Sequence, residues 1–416
     1  MATSFERLSA HISTAWKPGR APIAPRAYRC QCERPVFFRN SKCLNCQTPL
    51  GYDPELAQVL PLQEGPSQDS WVIAGALSPG QTYRRCANLL TAARCNWLIK
   101  LTDDNAALSL CPACRLNRTI PDLSVPGNEE LWHRMEVAKR RLISQLLALK
   151  LPVASKLGED PEHGLAYDFL RASTSGGPVL TGHEHGLMTF NLDEANDALR
   201  EQARAQMKEP YRTLLGHFRH EIGHYYWDRL VDHTAWLEPY RELFGDERQD
   251  YARALAANYQ NGPPSDWALR FVSSYASAHP WEDWAETWAH YLHMVDTVDT
   301  ALSFGIDADN VELDADPYTV DDLWRSDNEH HDSTAFLNLL NAWVDISAVM
   351  NEMSRSMGQA DFYPFVLPRP AIRKLHFIHC LIVTNARATQ EPEALLELNR
   401  IENEKRSEDA CQPAGS

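Results

Sequence analysis

Two histidines, His220 and His224, flank Glu221 in an HExxH motif. Residues four apart lie one turn above each other on a helix, so both imidazoles can reach one metal ion while the glutamate stays beside it. Apolar residues recur with helical spacing between Pro210 and Val231, which predicts a helix with Pro210 in its first turn. The pattern is typical of a zinc hydrolase in which Glu221 is the general base that takes a proton from the attacking water.

A catalytic zinc ion needs a third protein ligand and one open position for water. The best source is the segment from Tyr275 to His290, because Pro280 is expected to open a helix whose tryptophans mark the core side. On another stripe of that helix, Glu282, Glu286 and His290 follow each other at intervals of four residues. This spacing allows either glutamate to be the third ligand.

The two segments together resemble the gluzincin metallopeptidases, in which HExxH is completed by a downstream glutamate with a second acid four residues later. The resemblance implies that Glu282 binds zinc together with His220 and His224. It also implies that Glu286 holds a ligating histidine in place and that Tyr275 stabilises the developing oxyanion. For Tyr275, packing in the core is the alternative role.

Further histidines surround these segments. His217, His290 and His293 are expected beside the site without binding zinc, and His217 is either a partner of the site or a bystander. Residues 187–192 read as a strand just before the HExxH helix, and His183 and His185 precede it. A sheet edge in that place could pair with an extended substrate.

Eight of the ten cysteines lie between residues 30 and 114, in two groups that each end in a CxxC motif. They are Cys30, Cys32, Cys43, Cys46, Cys86, Cys95, Cys111 and Cys114. Four thiolates make a closed structural zinc site, so we predict two structural zinc ions beside the catalytic one. The spacing does not decide whether the two sites are sequential or interleaved. Cys380 lies in an apolar run and is expected to be a buried thiol.

Disulfides are the alternative use of these cysteines. The first residues contain no apolar h-region, which favours a cytoplasmic, reducing compartment and therefore metal. The net charge of −16 argues against general affinity for nucleic acid, and no run is apolar enough to span a membrane. The first 50 residues nevertheless hold eight Lys or Arg and two Glu. Such a basic region is either a docking surface for an acidic protein or nucleic acid, or solvated surface.

The whole arrangement resembles a bacterial family of zinc-binding metallopeptidases, in which a zinc ribbon precedes a gluzincin domain. The resemblance covers roughly residues 28–385 and implies an α+β fold, with a zincin-like domain that is mostly helical and has a small mixed sheet. Helices are expected at 131–149 and 335–353, and loops at 61–70 and 121–128. We expect an amino-terminal segment (1–27), a zinc ribbon with two four-cysteine sites (28–125), the zincin-like domain (126–388) and a disordered charged tail (389–416).

Two functions fit these observations. The first is zinc-dependent hydrolysis of a peptide or protein substrate. The second is a zinc-ribbon module that binds nucleic acid or protein and uses the zincin domain as a scaffold. The HExxH motif favours the peptidase, because a scaffold does not need the general base Glu221.

Overall fold

The computed structural model describes residues 22–75, 80–102, 107–171, 179–207, 213–306, 311, 316–324 and 333–390. Within these ranges, a strand-rich amino-terminal part precedes a mostly helical part that carries a sheet of its own, which confirms the expected mixture of helix and sheet. Of the predicted amino-terminal segment only residues 22–27 are described, and of the predicted tail only residues 389–390.

Two antiparallel sheets form the amino-terminal part. A two-stranded sheet joins β1 (Tyr28–Arg29) and β2 (Pro35–Val36). A five-stranded sheet follows in the order β3 (Leu50–Asp53), β4 (Gln58–Glu64), β5 (Trp71–Ile73), β6 (Tyr83–Arg85) and β7 (Leu98–Lys100). The loop predicted at 61–70 is therefore partly wrong. Pro61 can lie in β4 because its carbonyl oxygen still takes part in the hydrogen bonding of the sheet. It accepts a hydrogen bond from the N–H of Ala74 at 2.9 Å.

The third described sheet belongs to the helical part and is mixed, with the order β10, β11, β9, β8. Its strands are β8 (Asn117–Thr119), β9 (Ala166–Leu170), β10 (Gly182–Glu184) and β11 (Leu187–Asn191), which confirms the strand predicted at 187–192. β8, β9 and β11 run parallel, whereas the edge strand β10 is antiparallel to β11. His185 and Gly186 form the turn between them with φ of 46° and 82°, as a type I′ hairpin requires. A side chain at Gly186 would also collide with the carbonyl oxygen of Gly164.

Helices make up most of the remaining described chain. They are α1 (Asn128–Ala148), α2 (Asp197–Met207), α3 (Leu214–Leu230), α4 (Leu237–Phe244), α5 (Tyr251–Asn261), α6 (Pro280–Ser303), α7 (Ser333–Ser356) and α8 (Arg369–Gln390). α1 and α7 correspond to the two predicted helices and begin three and two residues earlier than expected. None of the described helices combines the length and the apolar character that crossing a bilayer demands.

The HExxH helix α3 begins at Leu214, later than predicted. Thr213 is its extended N-cap residue, and the hydroxyl of Thr213 accepts a hydrogen bond from the N–H of Gly216 at 2.9 Å. Pro210, the predicted start, lies outside the described residues. The helix α6 begins at Pro280 as predicted, capped by His279.

Helix α3 packs directly on α6, and Gly223 makes the close approach possible. A Cβ atom there would lie 3.1 Å from Cα of Ala285 and 3.2 Å from Cβ of Trp288. The indole N–H of Trp284 donates to the carbonyl oxygen of Gly223 at 2.8 Å, which fixes the two helices along their axes. Trp284 and Trp288 are fully buried and belong to the core.

A buried ionic cluster joins both helices to α1 and to the amino-terminal segment. Asp296 on α6 accepts hydrogen bonds from Arg26, Arg141 and Arg219 at 2.7–3.0 Å. Burial opposes its ionisation, but the three guanidinium groups hold the pKa of Asp296 far below its usual range. Arg219 directly precedes His220, the first histidine of the motif, so this cluster holds the residue next to the motif in place. Arg26 is thereby buried and adds nothing to a basic surface.

Candidate metal centre

The structure brings His220 and His224 of α3 together with Glu282 of α6. One ligand atom from each lies within 4.8 Å of the others. The Nε2 atoms of His220 and His224 lie 3.0 and 3.8 Å from Oε2 of Glu282, and all three residues are buried. Oε2 of Glu282 accepts no hydrogen bond from any described residue. Two imidazoles and one carboxylate that converge on one point form a donor set that fits a catalytic zinc ion.

Glu286 lies on the other side of the His220 ring. Its Oε1 is 2.8 Å from Nδ1 of His220, and its Oε2 accepts a hydrogen bond from the hydroxyl of Ser273 at 2.5 Å. Because a carboxylate can only accept, Nδ1 of His220 carries the proton, which leaves the Nε2 lone pair for a metal. The geometry therefore places Glu282 beside both imidazoles and Glu286 behind one of them.

The histidines and glutamates of the site shift each other's pKa values. Burial would lower the pKa of His220, but the neighbouring carboxylates of Glu282 and Glu286 raise it well above the usual value. Burial likewise opposes ionisation of Glu282, yet His224 and His220 bring the pKa of Glu282 down to about 2. A proton and a metal ion compete for the same Nε2 lone pair of His220.

Glu221 forms an ion pair with His217, which lies one turn earlier on α3. Nε2 of His217 lies 3.2 Å from Oε1 of Glu221, and its Nδ1 lies 2.5 Å from Oε2 of Glu194. Burial would raise the pKa of Glu221, but His217 holds it at about 2; burial would lower the pKa of His217, but Glu194 and Glu221 raise it to about 9. His217 is therefore a partner of the site. Glu194 was not predicted, since no motif marks it.

Three tyrosines surround the metal ligands. The ring of Tyr275 is centred 5.9 Å from the ring of His220, in a short turn just before α6. Burial and the charge of Glu282 raise the pKa of Tyr275 far above its usual value, so its phenol keeps the proton that an oxyanion would require. Tyr251 donates a hydrogen bond to Oε1 of Glu282 at 2.5 Å, and Tyr259 lines the same cavity. No sequence pattern singles out Tyr251 or Tyr259.

A cavity of about 750 Å³ opens on the three ligands and has the size of a small-molecule or peptide site. Residues 179–183, which include the first two residues of the edge strand β10, form one wall, and one face of α5 forms another. His183 lines it as a neutral group, since burial lowers its pKa to about 3, and its Nε2 accepts the N–H of Gly186 at 2.9 Å. His290 and His293 also line the cavity, and Trp281 packs on His224 with ring centres 4.1 Å apart.

The cysteines form two sequential clusters, which resolves the alternative that the spacing left open. The first consists of Cys30, Cys32, Cys43 and Cys46, and the second of Cys86, Cys95, Cys111 and Cys114. Sulfur–sulfur distances within them include 3.5, 3.7 and 3.8 Å. A tetrahedral site with zinc–sulfur bonds of about 2.3 Å needs about 3.8 Å, so both clusters fit zinc. None of the nine described cysteines forms a disulfide, and Cys380 is buried as predicted.

The second cysteine cluster is buried against the helical part. Arg140 of α1 lies beside it: burial would lower the pKa of Arg140, but the charges of Cys95, Glu136 and Cys114 raise it. A four-thiolate zinc site carries two net negative charges, which a buried guanidinium partly offsets. This cluster is therefore part of the contact between the two halves of the chain.

Comparisons with known proteins agree with this geometry. Residues 128–381 match the family described as "Putative zinc-binding metallo-peptidase", and residues 27–125 match a zinc-ribbon domain. An uncharacterized protein of Mycobacterium bovis and uncharacterized proteins from two strains of Mycobacterium tuberculosis are each 40% identical over 360 residues, which is 86% of this chain and 95% of the relative. No solved structure matches the chain. The predicted resemblance is confirmed: the chain belongs to this family of zinc-binding metallopeptidases and carries an amino-terminal zinc-ribbon domain.

Proposed function

We propose that the chain hydrolyses peptide bonds at a gluzincin-type zinc centre. The observation that supports this most directly is the convergence of His220, His224 and Glu282 at one end of an open cavity. Zinc held there supplies the Lewis acidity that polarises a scissile carbonyl and lets water attack near neutral pH. The two cysteine clusters take structural zinc, which gives about three zinc ions per chain.

The remaining site residues have distinct roles in this proposal. Glu221 takes the proton of the attacking water and passes it to the leaving amine. Glu286 fixes the tautomer and the orientation of His220. The protonated phenol of Tyr275 donates to the oxyanion that develops on the former carbonyl oxygen. Tyr251 orients Glu282 through its hydrogen bond of 2.5 Å.

The substrate class follows from the wall of the cavity. β10 is the edge strand of its sheet, so one side of its backbone is not paired with β11. Because residues 179–183 line the cavity, an extended peptide that adds to this edge would run past the metal ligands. A mixed sheet with an antiparallel edge strand beside the HExxH helix is also what the zincin-like fold implied by the resemblance requires.

The alternative function, a zinc-ribbon module that binds nucleic acid or protein, receives less support. It leaves the three converging ligands and Glu221 without a role. It also loses one of its basic residues, because Arg26 is buried with Asp296.

Hydrolysis of a peptide library by the zinc-loaded protein and by Glu221→Gln tests the proposal. We expect the variant to retain zinc in all three sites and to lose turnover by at least about 10²-fold, because it lacks the general base. Glu242→Gln, on the exposed side of α4, is the matched control and should behave as wild type. Unchanged turnover in Glu221→Gln, or no cleavage by wild type with all three sites loaded, would contradict the proposal.

A further inference from the structure

Glu221 belongs to a chain of one ion pair and two hydrogen bonds that reaches from the HExxH helix to the mixed sheet. His217 bridges two acids: its Nε2 is 3.2 Å from Oε1 of Glu221, and its Nδ1 is 2.5 Å from Oε2 of Glu194. Glu194 lies in the short turn Leu192–Ala195 that follows β11. Its other oxygen accepts a hydrogen bond from the hydroxyl of Thr181 at 2.5 Å, and Thr181 directly precedes β10.

The bridging ring is held at both nitrogens. Ionised carboxylates only accept hydrogen bonds, so each nitrogen of His217 that faces an acid donates a proton. A ring with an acid at each nitrogen cannot rotate without losing either its ion pair with Glu221 or its charge-assisted hydrogen bond to Glu194, and such a bond is about twice as strong as a neutral one. Phe190 closes one edge of the ring, with ring centres 6.0 Å apart. One oxygen of Glu221 is therefore tied to a rigid group.

The described contacts that link Glu221, His217 and Glu194 do not run through Glu282 or Glu286, and the ring of His217 is centred 6.4 Å from that of His220. Glu282 and Glu286 have their own partners in Tyr251 and Ser273. Glu194 and His217 both line the cavity. Their direct contacts lead to Glu221 on one side and to the start of the edge strand on the other.

We propose that His217 and Glu194 are positioning residues that hold the carboxylate of Glu221 in the orientation needed to take a proton. This inference rests on the proposed peptidase function. With Oε1 tied to His217, Oε2 of Glu221 is the oxygen that receives the proton. Through Thr181 the same chain couples this orientation to the strand that would pair with a peptide.

Two neutral variants separate positioning from other roles of the ring. The amide nitrogen of His217→Gln falls near Nε2 of the ring and keeps the donor to Glu221. The amide nitrogen of His217→Asn falls near Nδ1 and keeps only the donor to Glu194. We expect His217→Asn to lower kcat about 10²-fold, the effect of a small misplacement of a catalytic group, with KM and zinc content unchanged. His217→Gln should recover most of this loss.

Glu194→Gln is measured beside them, because it tests the chain without altering α3. It should lower kcat about tenfold with zinc still bound, as losing an outer partner does. Wild-type kcat in both Glu194→Gln and His217→Asn overturns the proposal, and so does an equal loss in the Gln and Asn variants at His217. The latter would mean that the charge of the ring matters and its geometry does not.

A measurement without turnover separates this inference from the proposed function. In zinc-loaded Glu221→Gln, which has no peptidase activity by design, the Nδ1 proton of His217 should still give a strongly downfield proton NMR signal. That signal should disappear in His217→Asn. If wild type shows the signal but cleaves no peptide, the proposed function fails and the contacts of His217 still stand. If wild type lacks the signal, the contacts of His217 are refuted.

Discussion

Replacing Glu286 by alanine should weaken zinc binding at the catalytic site without removing a ligand. Glu286 holds Nδ1 of His220 at 2.8 Å, on the ring edge away from Glu282. Its loss leaves the N–H of a ligating histidine without its carboxylate, and such outer partners are worth about 10- to 100-fold in metal affinity. At about 1.4 kcal/mol for each factor of ten, this is about 1.4–2.8 kcal/mol of binding free energy.

The size of the loss in zinc affinity also identifies which glutamate is the third ligand. Structural zinc in small peptides binds with about 10–16 kcal/mol, and on that scale the removal of one of three ligands should cost on the order of 3 kcal/mol or more. Glu282→Ala is therefore expected to lose more affinity than Glu286→Ala. Ser273→Ala removes the other partner of Glu286, together with the acceptor of the N–H of Ala276, and should lower zinc affinity less than tenfold.

The assay is a competition titration against a chromophoric chelator at constant pH. The two cysteine clusters serve as an internal reference, because their zinc should remain bound while the catalytic ion is titrated. An affinity of Glu286→Ala within twofold of wild type would refute the role of Glu286. A loss larger than that of Glu282→Ala would show that Glu286 is the ligand.

Two further predictions concern the support of the site. Asp296→Asn leaves the buried Arg26 and Arg219 without their counter-ion and should lower the free energy of unfolding by about 3–5 kcal/mol. Arg141→Ala, at a more exposed position, should lower it by about 1 kcal/mol or less. Equal losses of stability for the two variants in urea titrations would count against the cluster. Gly223→Val should lower the free energy of unfolding by about 1–3 kcal/mol and weaken zinc binding, because the new side chain forces α3 away from α6. Gly158→Val, where a side chain meets open space, is the control and should do neither. Zinc affinity equal to that of wild type in Gly223→Val would argue against this close contact.

The metal helices could be predicted because motif and periodicity agree along each of them. The choice between Glu282 and Glu286 could not be made from spacing, since both lie on one stripe of α6. What decides it is how far α6 is shifted along α3. That shift depends on contacts between residues distant in sequence, such as the indole of Trp284 on the carbonyl of Gly223. A local pattern does not contain this information.

The same reason explains the residues that were missed. Glu194 and Tyr251 reach the site from a turn and from a helix that carry no motif, and only the fold brings them to Glu221 and Glu282. The start of α3 was misplaced for a local reason: Pro210 and Thr213 both suit a helix start, and the structure uses the capping hydroxyl of Thr213.

The strand β8 directly follows the second cysteine cluster, yet it pairs with β9 in the sheet of the helical part. The two family matches meet between residues 125 and 128, after this strand. A relative that kept only the catalytic segment would expose the open edge of β9 and would leave Arg140 without its thiolate neighbours. Recombination at that junction is therefore disfavoured, and we expect the two segments to have been inherited together.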